Sequence, residues 1–128
     1  MFAPGHTKNI LVVDDEVQLR RRMSELLRGA GYSVIESRDY QEAKALYERC
    51  RDQIDMLLID VSLPGYYGCE LARLALSINP SLRVLLISGH AGSAVCRFYG
   101  ISATDVHFME KPFTDERLLA RIELLLAA

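Results

Sequence analysis

Four short stretches of this 128-residue chain place groups capable of metal or phosphorus chemistry directly after apolar runs. Asp14-Asp15-Glu16 follows Ile10 to Val13, Asp60 follows Met56 to Ile59, Ser88-Gly89 follows Val84 to Ile87, and Lys111-Pro112 follows Val106 to Glu110. Two carboxylates about 4 Å apart repel by roughly 4 kcal/mol at an effective dielectric near 20, so three acidic groups in one pocket cannot stay ionised unaided. A lysine offsets one charge and a divalent cation the remainder. All-oxygen ligands with room for water suit Mg²⁺ or Mn²⁺ better than Zn²⁺. A carboxylate beside such a cation can attack phosphorus while the cation, the lysine and a hydroxyl neutralise the three peripheral oxygens. Any one of these acidic residues alone reads more readily as the N-cap of a following helix, which strand-to-helix loops favour; four convergent windows reverse that preference.

The elements that must position these groups follow from apolar periodicity. Short runs at Asn9 to Asp14, Ser33 to Ser37, Met56 to Asp60, Arg83 to Ser88 and Val106 to Glu110 are rich in Val, Ile or Leu and suit strands covered on both faces. Between them, Leu19, Met23, Leu26, Leu27 and Ala30 recur at helical spacing, with Gly29 and Gly31 as a stop. Tyr40, Ala43, Leu46, Tyr47 and Cys50 form a second stripe, opened by Asp39 and Glu42 as a capping box. Leu71, Leu74, Ala75 and Ile78 form a third that Asn79-Pro80 ends. A short fourth helix is expected within Ser93 to Tyr99, and a last one runs from a Thr114 N-cap to the C-terminus. The pattern is βα repeated five times. It predicts an α/β fold: a flavodoxin-like, doubly wound (βα)5 domain with a five-stranded parallel sheet, order 2-1-3-4-5, and helices on both faces. In that order strands one and three are neighbours, so Asp14, Asp15 and Asp60 converge on one pocket with Ser88 and Lys111 beside it.

Composition bounds the rest. Half the residues are hydrophobic and a quarter charged, with Lys+Arg 15 against Asp+Glu 17; this is ordinary for a single globular domain. We expect a loose leader over 1–8 and one domain over 9–128. The formal charge of -2 leaves no excess of cations for a nucleic-acid backbone. No apolar run approaches the roughly 18 residues of a membrane span, and no secretory signal is evident, so a cytoplasmic location is expected. Cys50, Cys69 and Cys96 lack C-x-x-C spacing and read as buried or idle thiols. His6, His90 and His107 have no ligand-like spacing.

The sequence resembles the receiver (response-regulator) domains of two-component signalling. The resemblance is carried by Ile10-Leu-Val-Val-Asp-Asp-Glu16, by Leu57-Leu-Ile-Asp-Val-Ser-Leu-Pro-Gly65 followed by Gly68, by Leu86-Ile-Ser-Gly89 and by Glu110-Lys-Pro-Phe-Thr114. It implies that Asp60 accepts a phosphoryl group from a phosphohistidine on a histidine kinase or a histidine phosphotransfer domain. It further implies that Asp15, Asp60 and the backbone carbonyl of Ser62 bind Mg²⁺ directly, Asp14 through water, and that Ser88 and Lys111 contact the phosphoryl oxygens. Lys111-Pro112 is commonly a cis bond in the family. The implied switch moves Ser88 toward the phosphoryl group and turns Phe108 inward, remodelling the face made by the fourth helix, the fifth strand and the last helix. A homodimer through that face and a monomer are both compatible with the sequence.

Phe108 lacks the hydroxyl that Tyr often supplies there, and plain core packing is an equal reading of it. Ser62 and His90 occupy places that tune dephosphorylation in the family. Arg20, Arg21 and Arg22 fall mostly on the solvent side of the first helix, a common kinase-docking surface in such domains. The segment from Gly89 to Phe108 looks more like receivers of hybrid histidine kinases than like stand-alone chemotaxis-type regulators.

Such a domain is a signalling switch whose only chemistry is its own phosphorylation and dephosphorylation. The enzyme alternative, a phosphatase of the haloacid dehalogenase type, calls for Asp-x-Asp at the nucleophile, whereas Ser62 stands two residues after Asp60. A degenerate receiver acting as a phosphorylation-independent interaction module is the other alternative. No G-x-x-x-x-G-K-[ST] loop supports nucleotide hydrolysis.

Overall fold

A computed structural model describes residues 7–61, 67–89 and 106–127. Its strands are β1 (Asn9–Val13), β2 (Ser33–Ser37), β3 (Met56–Asp60), β4 (Arg83–Ser88) and β5 (His107–Glu110). The helices are α1 (Val17–Gly29), α2 (Tyr40–Cys50), α3 (Tyr67–Ile78) and a C-terminal helix, Asp115–Leu126. All strand pairs are parallel, in the order β2-β1-β3-β4-β5, so the predicted doubly wound sheet is the one observed. The expected fourth helix and the first six residues of the leader lie outside the described residues.

Two-residue alternation sorts the core into two layers. Leu11, Val13, Leu57, Ile59, Val84 and Leu86 pack with Ala43, Leu46 and Tyr47 of α2 and Leu71, Ala72 and Ala75 of α3. Ile10, Val12, Met56, Leu58, Leu85 and Ile87 pack on the other face, with Met23 and Leu27 of α1 and Leu118, Ile122 and Leu125 of the C-terminal helix. Burial on both faces explains why β1 and β3 are wholly buried and read as unbroken apolar runs, while the edge strand β2 is only partly buried.

Local signals set the ends. The left-handed turn after α1 falls on Gly31, at φ +100°, where a side chain would be strained. Asp39 caps α2 by accepting from the Glu42 amide at 2.8 Å, but the Glu42 carboxylate reaches back to the amide of Arg38 at 3.2 Å rather than to Asp39. Thr114 caps the C-terminal helix by accepting from the Arg117 amide. β1 ends one residue earlier than expected. Asp14 keeps its amide on the Ser37 carbonyl at 3.0 Å, yet its carboxylate already accepts from the Glu16 amide at the mouth of α1.

Cys50 is a thiol, whereas Cys69, fully buried in the first turn of α3, is disulfide-bonded. That corrects the idle-thiol reading for Cys69, because spacing along the chain does not register a bond made by tertiary folding.

Candidate functional site

Register places the site. Val13 stands opposite Ile59 and Ser88 opposite Glu110, so the residues that follow β1 and β5 come to the same sheet edge as the ends of β3 and β4. Asp60, 2% exposed, closes β3. The Lys111 ammonium donates to its Oδ2 at 2.7 Å. Lys111 is itself anchored through its amide to the Ser88 carbonyl at 2.8 Å, and its bond to Pro112 is cis, as expected. Ser88 is buried at the end of β4.

Asp14 has no exposed surface. Its Oδ1 accepts from the Glu16 amide at 2.9 Å, while Oδ2 is buried without a hydrogen-bond partner. Burial pushes its carboxyl up from 3.8 to about 7; the charges of Asp60 and Asp15 act in the same direction, and the Glu16 amide and Lys111 oppose them. For Lys111, burial alone would favour the neutral amine, but the bond to Asp60 and the charges of Asp60, Asp14 and Glu16 together raise its pKa. Both shifts have one origin: a buried acidic pocket short of positive charge.

Mg²⁺ keeps several waters and is commonly held by one or two carboxylates. The orphaned Oδ2 of Asp14 beside Asp60 fits that habit, because a buried oxygen without a partner carries its full desolvation cost until a donor or a cation meets it. Asp15 is exposed next to it. Among the described residues no three His, Cys, Asp or Glu side chains are grouped so that they could hold a metal ion between them, so a bound cation would need water and main-chain oxygens among its ligands. Ser62, expected to supply such a carbonyl, lies outside the described residues, as does His90.

Phe108 on β5 is half-buried against the α2–α3 layer, a position that serves packing. Sequence reasoning missed Arg20. Arg21 and Arg22 are exposed, with Arg22 paired to Asp115 at 2.8 Å, but Arg20 turns inward and donates to the Asp14 carbonyl at 3.0 Å. This corrects its placement on the solvent side. A run of three arginines reads as a solvated face, and no side-chain pattern marks a backbone carbonyl as a partner. A cleft of about 220 Å³ lies on the far side of Lys111, between α1 and the C-terminal helix, lined in part by Leu19, Met23, Phe113 and Leu118.

Gly68 is the second such positioning feature. A Cβ at this residue would lie 2.6 Å from the carbonyl oxygen of Asp60 and 3.0 Å from Cα of Val61, so α3 seats its first turn directly on the backbone of the buried carboxylate. Gly68→Ala gains up to about 1 kcal/mol of helix propensity but must displace that backbone, an overpacking cost of about 1–3 kcal/mol. We expect a net loss of stability in urea unfolding; a more stable variant would show that α3 steps back freely.

The chain thus combines a five-stranded doubly wound parallel sheet with a buried, lysine-paired aspartate at one strand end and a second buried acidic group beside it. The family model "Response regulator receiver domain" matches residues 10–123, and the chain belongs to that family. It is 33% identical over 122 residues to the response regulator receiver protein CpdR of Brucella abortus, covering 94% of this chain and 98% of that one. It is 34% identical over 117 residues to the transcriptional regulatory protein CpxR of Escherichia coli, covering 91% of this chain but only 48% of CpxR. The chain thus spans about half the length of that relative. Among solved structures, the receiver domain of the hybrid histidine kinase CckA superposes with a TM-score of 0.75 at 32% identity, covering 92% of this chain and 98% of that one. The likeness therefore extends to receivers of several architectures.

Proposed function

We propose that the chain takes a phosphoryl group from a phosphohistidine of a histidine kinase or histidine phosphotransfer domain onto Asp60. The observation that carries this reading is the 2.7 Å pairing of buried Asp60 with Lys111 beside the partnerless oxygen of Asp14. An Asp60 carboxylate oxygen attacks phosphorus, the phosphorus–nitrogen bond breaks, and the electron pair leaves with the imidazole of the donor. Lys111, already on Oδ2, offsets charge on the incoming phosphoryl oxygens, and the Ser88 hydroxyl stands at the neighbouring strand end to donate to one of them. A bound Mg²⁺ would be held directly by Asp15, Asp60 and the Ser62 carbonyl and through water by Asp14, and would neutralise the same oxygens. Attack of water on the acyl phosphate returns the Asp60 carboxylate and inorganic phosphate, and Ser62 and His90 are the residues proposed to tune its rate.

Phosphorylation replaces the single negative charge of the Asp60 carboxylate by the close to two charges of an acyl phosphate, with its added acceptor oxygens, at a site already crowded with carboxylates, and Ser88 and Phe108 transmit that change to the face around β5 and the C-terminal helix. Leu124, 71% exposed on that helix, makes this face a candidate for homodimer contacts. No described helix is long and apolar enough to cross a membrane, and a cytoplasmic location is part of this proposal. The near-neutral charge argues against direct nucleic-acid binding by this segment. The test is intact-protein mass spectrometry after incubation with acetyl phosphate. One phosphoryl adduct with Mg²⁺ and none with EDTA is expected; a folded, Mg²⁺-binding protein that takes no adduct would favour a phosphorylation-independent interaction module.

A further inference from the structure

The turn that carries Asp14 and Asp15 is tied to the neighbouring strand twice. Directly, the Asp14 amide donates to the Ser37 carbonyl at the end of β2. Indirectly, Arg20 bridges the two strands: its Nη1 donates to the Asp14 carbonyl at 3.0 Å and its Nε to Oε1 of Glu36 on β2 at 3.2 Å. Glu36 is fixed in turn, because Arg28 of α1 reaches its Oε2 at 3.4 Å and the Val34 carbonyl at 3.1 Å. The Arg20 side chain is only 14% exposed, so this bridge sits mostly out of water, where hydrogen bonds to charged groups hold geometry most firmly.

We infer that Arg20 is a positioning residue that sets the cation affinity of the acidic pocket by clamping the Asp14 peptide to β2 through Glu36. The inference rests on the Mg²⁺ site proposed above. Arg20 touches no carboxylate of the pocket in any described hydrogen bond; it acts on the backbone from which Asp14 and Asp15 project. Mg²⁺ demands near-octahedral geometry at short distances, so freedom in that peptide is felt first as lost affinity. Both arms of the bridge need a planar fork of donors. Lysine keeps the charge but has no such fork.

The test is calorimetric titration of Mg²⁺ into the wild type, Arg20→Gln, Arg20→Lys and Glu36→Gln, each checked for folding by urea unfolding. Leu27→Ala, which removes a buried α1 side chain away from the turn, controls for destabilisation alone. Disturbing groups that orient metal ligands typically costs about 10–100-fold in affinity; we expect about tenfold weaker binding in both Arg20 variants, a smaller loss in Glu36→Gln, and wild-type affinity in Leu27→Ala. At saturating Mg²⁺ the acetyl phosphate reaction should stay near the wild-type rate, since Arg20 does not contact the acceptor. Unchanged affinity in Arg20→Gln overturns the inference, and so does full recovery in Arg20→Lys, which would make charge rather than the bridge responsible. If the Arg20 variants do not fold, unchanged affinity in Glu36→Gln overturns it equally. A wild type that binds no Mg²⁺ brings down the parent reading and this inference together, whereas a wild type that binds with insensitive variants brings down this one alone.

Discussion

Asp60→Asn is expected to abolish the phosphoryl adduct formed from acetyl phosphate and Mg²⁺, to the background of the measurement. The amide has nearly the shape of the carboxylate but no anionic oxygen to attack phosphorus, so the substitution removes the nucleophile and little else. The fold should survive, because two opposing terms accompany the change. Lys111 loses its 2.7 Å partner; being 30% exposed along its side chain, it can turn to water instead of remaining as a buried unpaired charge. Asp14, meanwhile, loses the repulsion of a neighbouring carboxylate, one of the causes that raise its pKa. A folded Asp60→Asn protein that still takes one phosphoryl group would move the acceptor to another side chain, with Asp14 and Asp15 the first to map.

The sheet was legible because its central strands are buried on both faces. Met56 to Asp60 and Arg83 to Ser88 begin and end where the apolar runs do, and β2 kept its bounds because its edge position still demands alternation. The convergence of Asp14, Asp60, Ser88 and Lys111 followed from strand order alone. Arg20 did not, because its partner is a main-chain carbonyl that exists only once β1 has turned into α1. Gly68 was visible as a motif residue without a reason; the reason is the Asp60 carbonyl that leaves no room for a Cβ. Cys69 likewise required tertiary contact to be read.

The second large effect is a reversal of the usual acid sensitivity in the absence of metal. Asp14 is raised to about 7 from 3.8 chiefly by burial. Below about pH 4 it is protonated both folded and unfolded and contributes nothing to the difference. Between about 4 and 7 the folded chain keeps the proton and the unfolded chain has lost it, so stability falls as pH rises, by about 1.4 kcal/mol per unit. Above 7 both states are ionised and the loss is complete. In EDTA, urea unfolding should therefore show roughly 3 kcal/mol less stability at pH 8 than at pH 5. His107 works the other way: burial, then Arg121 and Arg83, lower its pKa, so its contribution improves with rising pH, but it is exposed and weakly coupled to folding. Lys111, with a raised pKa, contributes stability that is present throughout this range and fades only at high pH. Asp14→Asn should remove the downward slope. Saturating Mg²⁺ should remove it too, by binding the carboxylate form, so that added Mg²⁺ stabilises far more at pH 8 than at pH 5. A metal-free protein whose urea midpoint rises steadily from pH 5 to 8 would show that the Asp14 carboxylate is already satisfied, and that the pocket has no need of a cation.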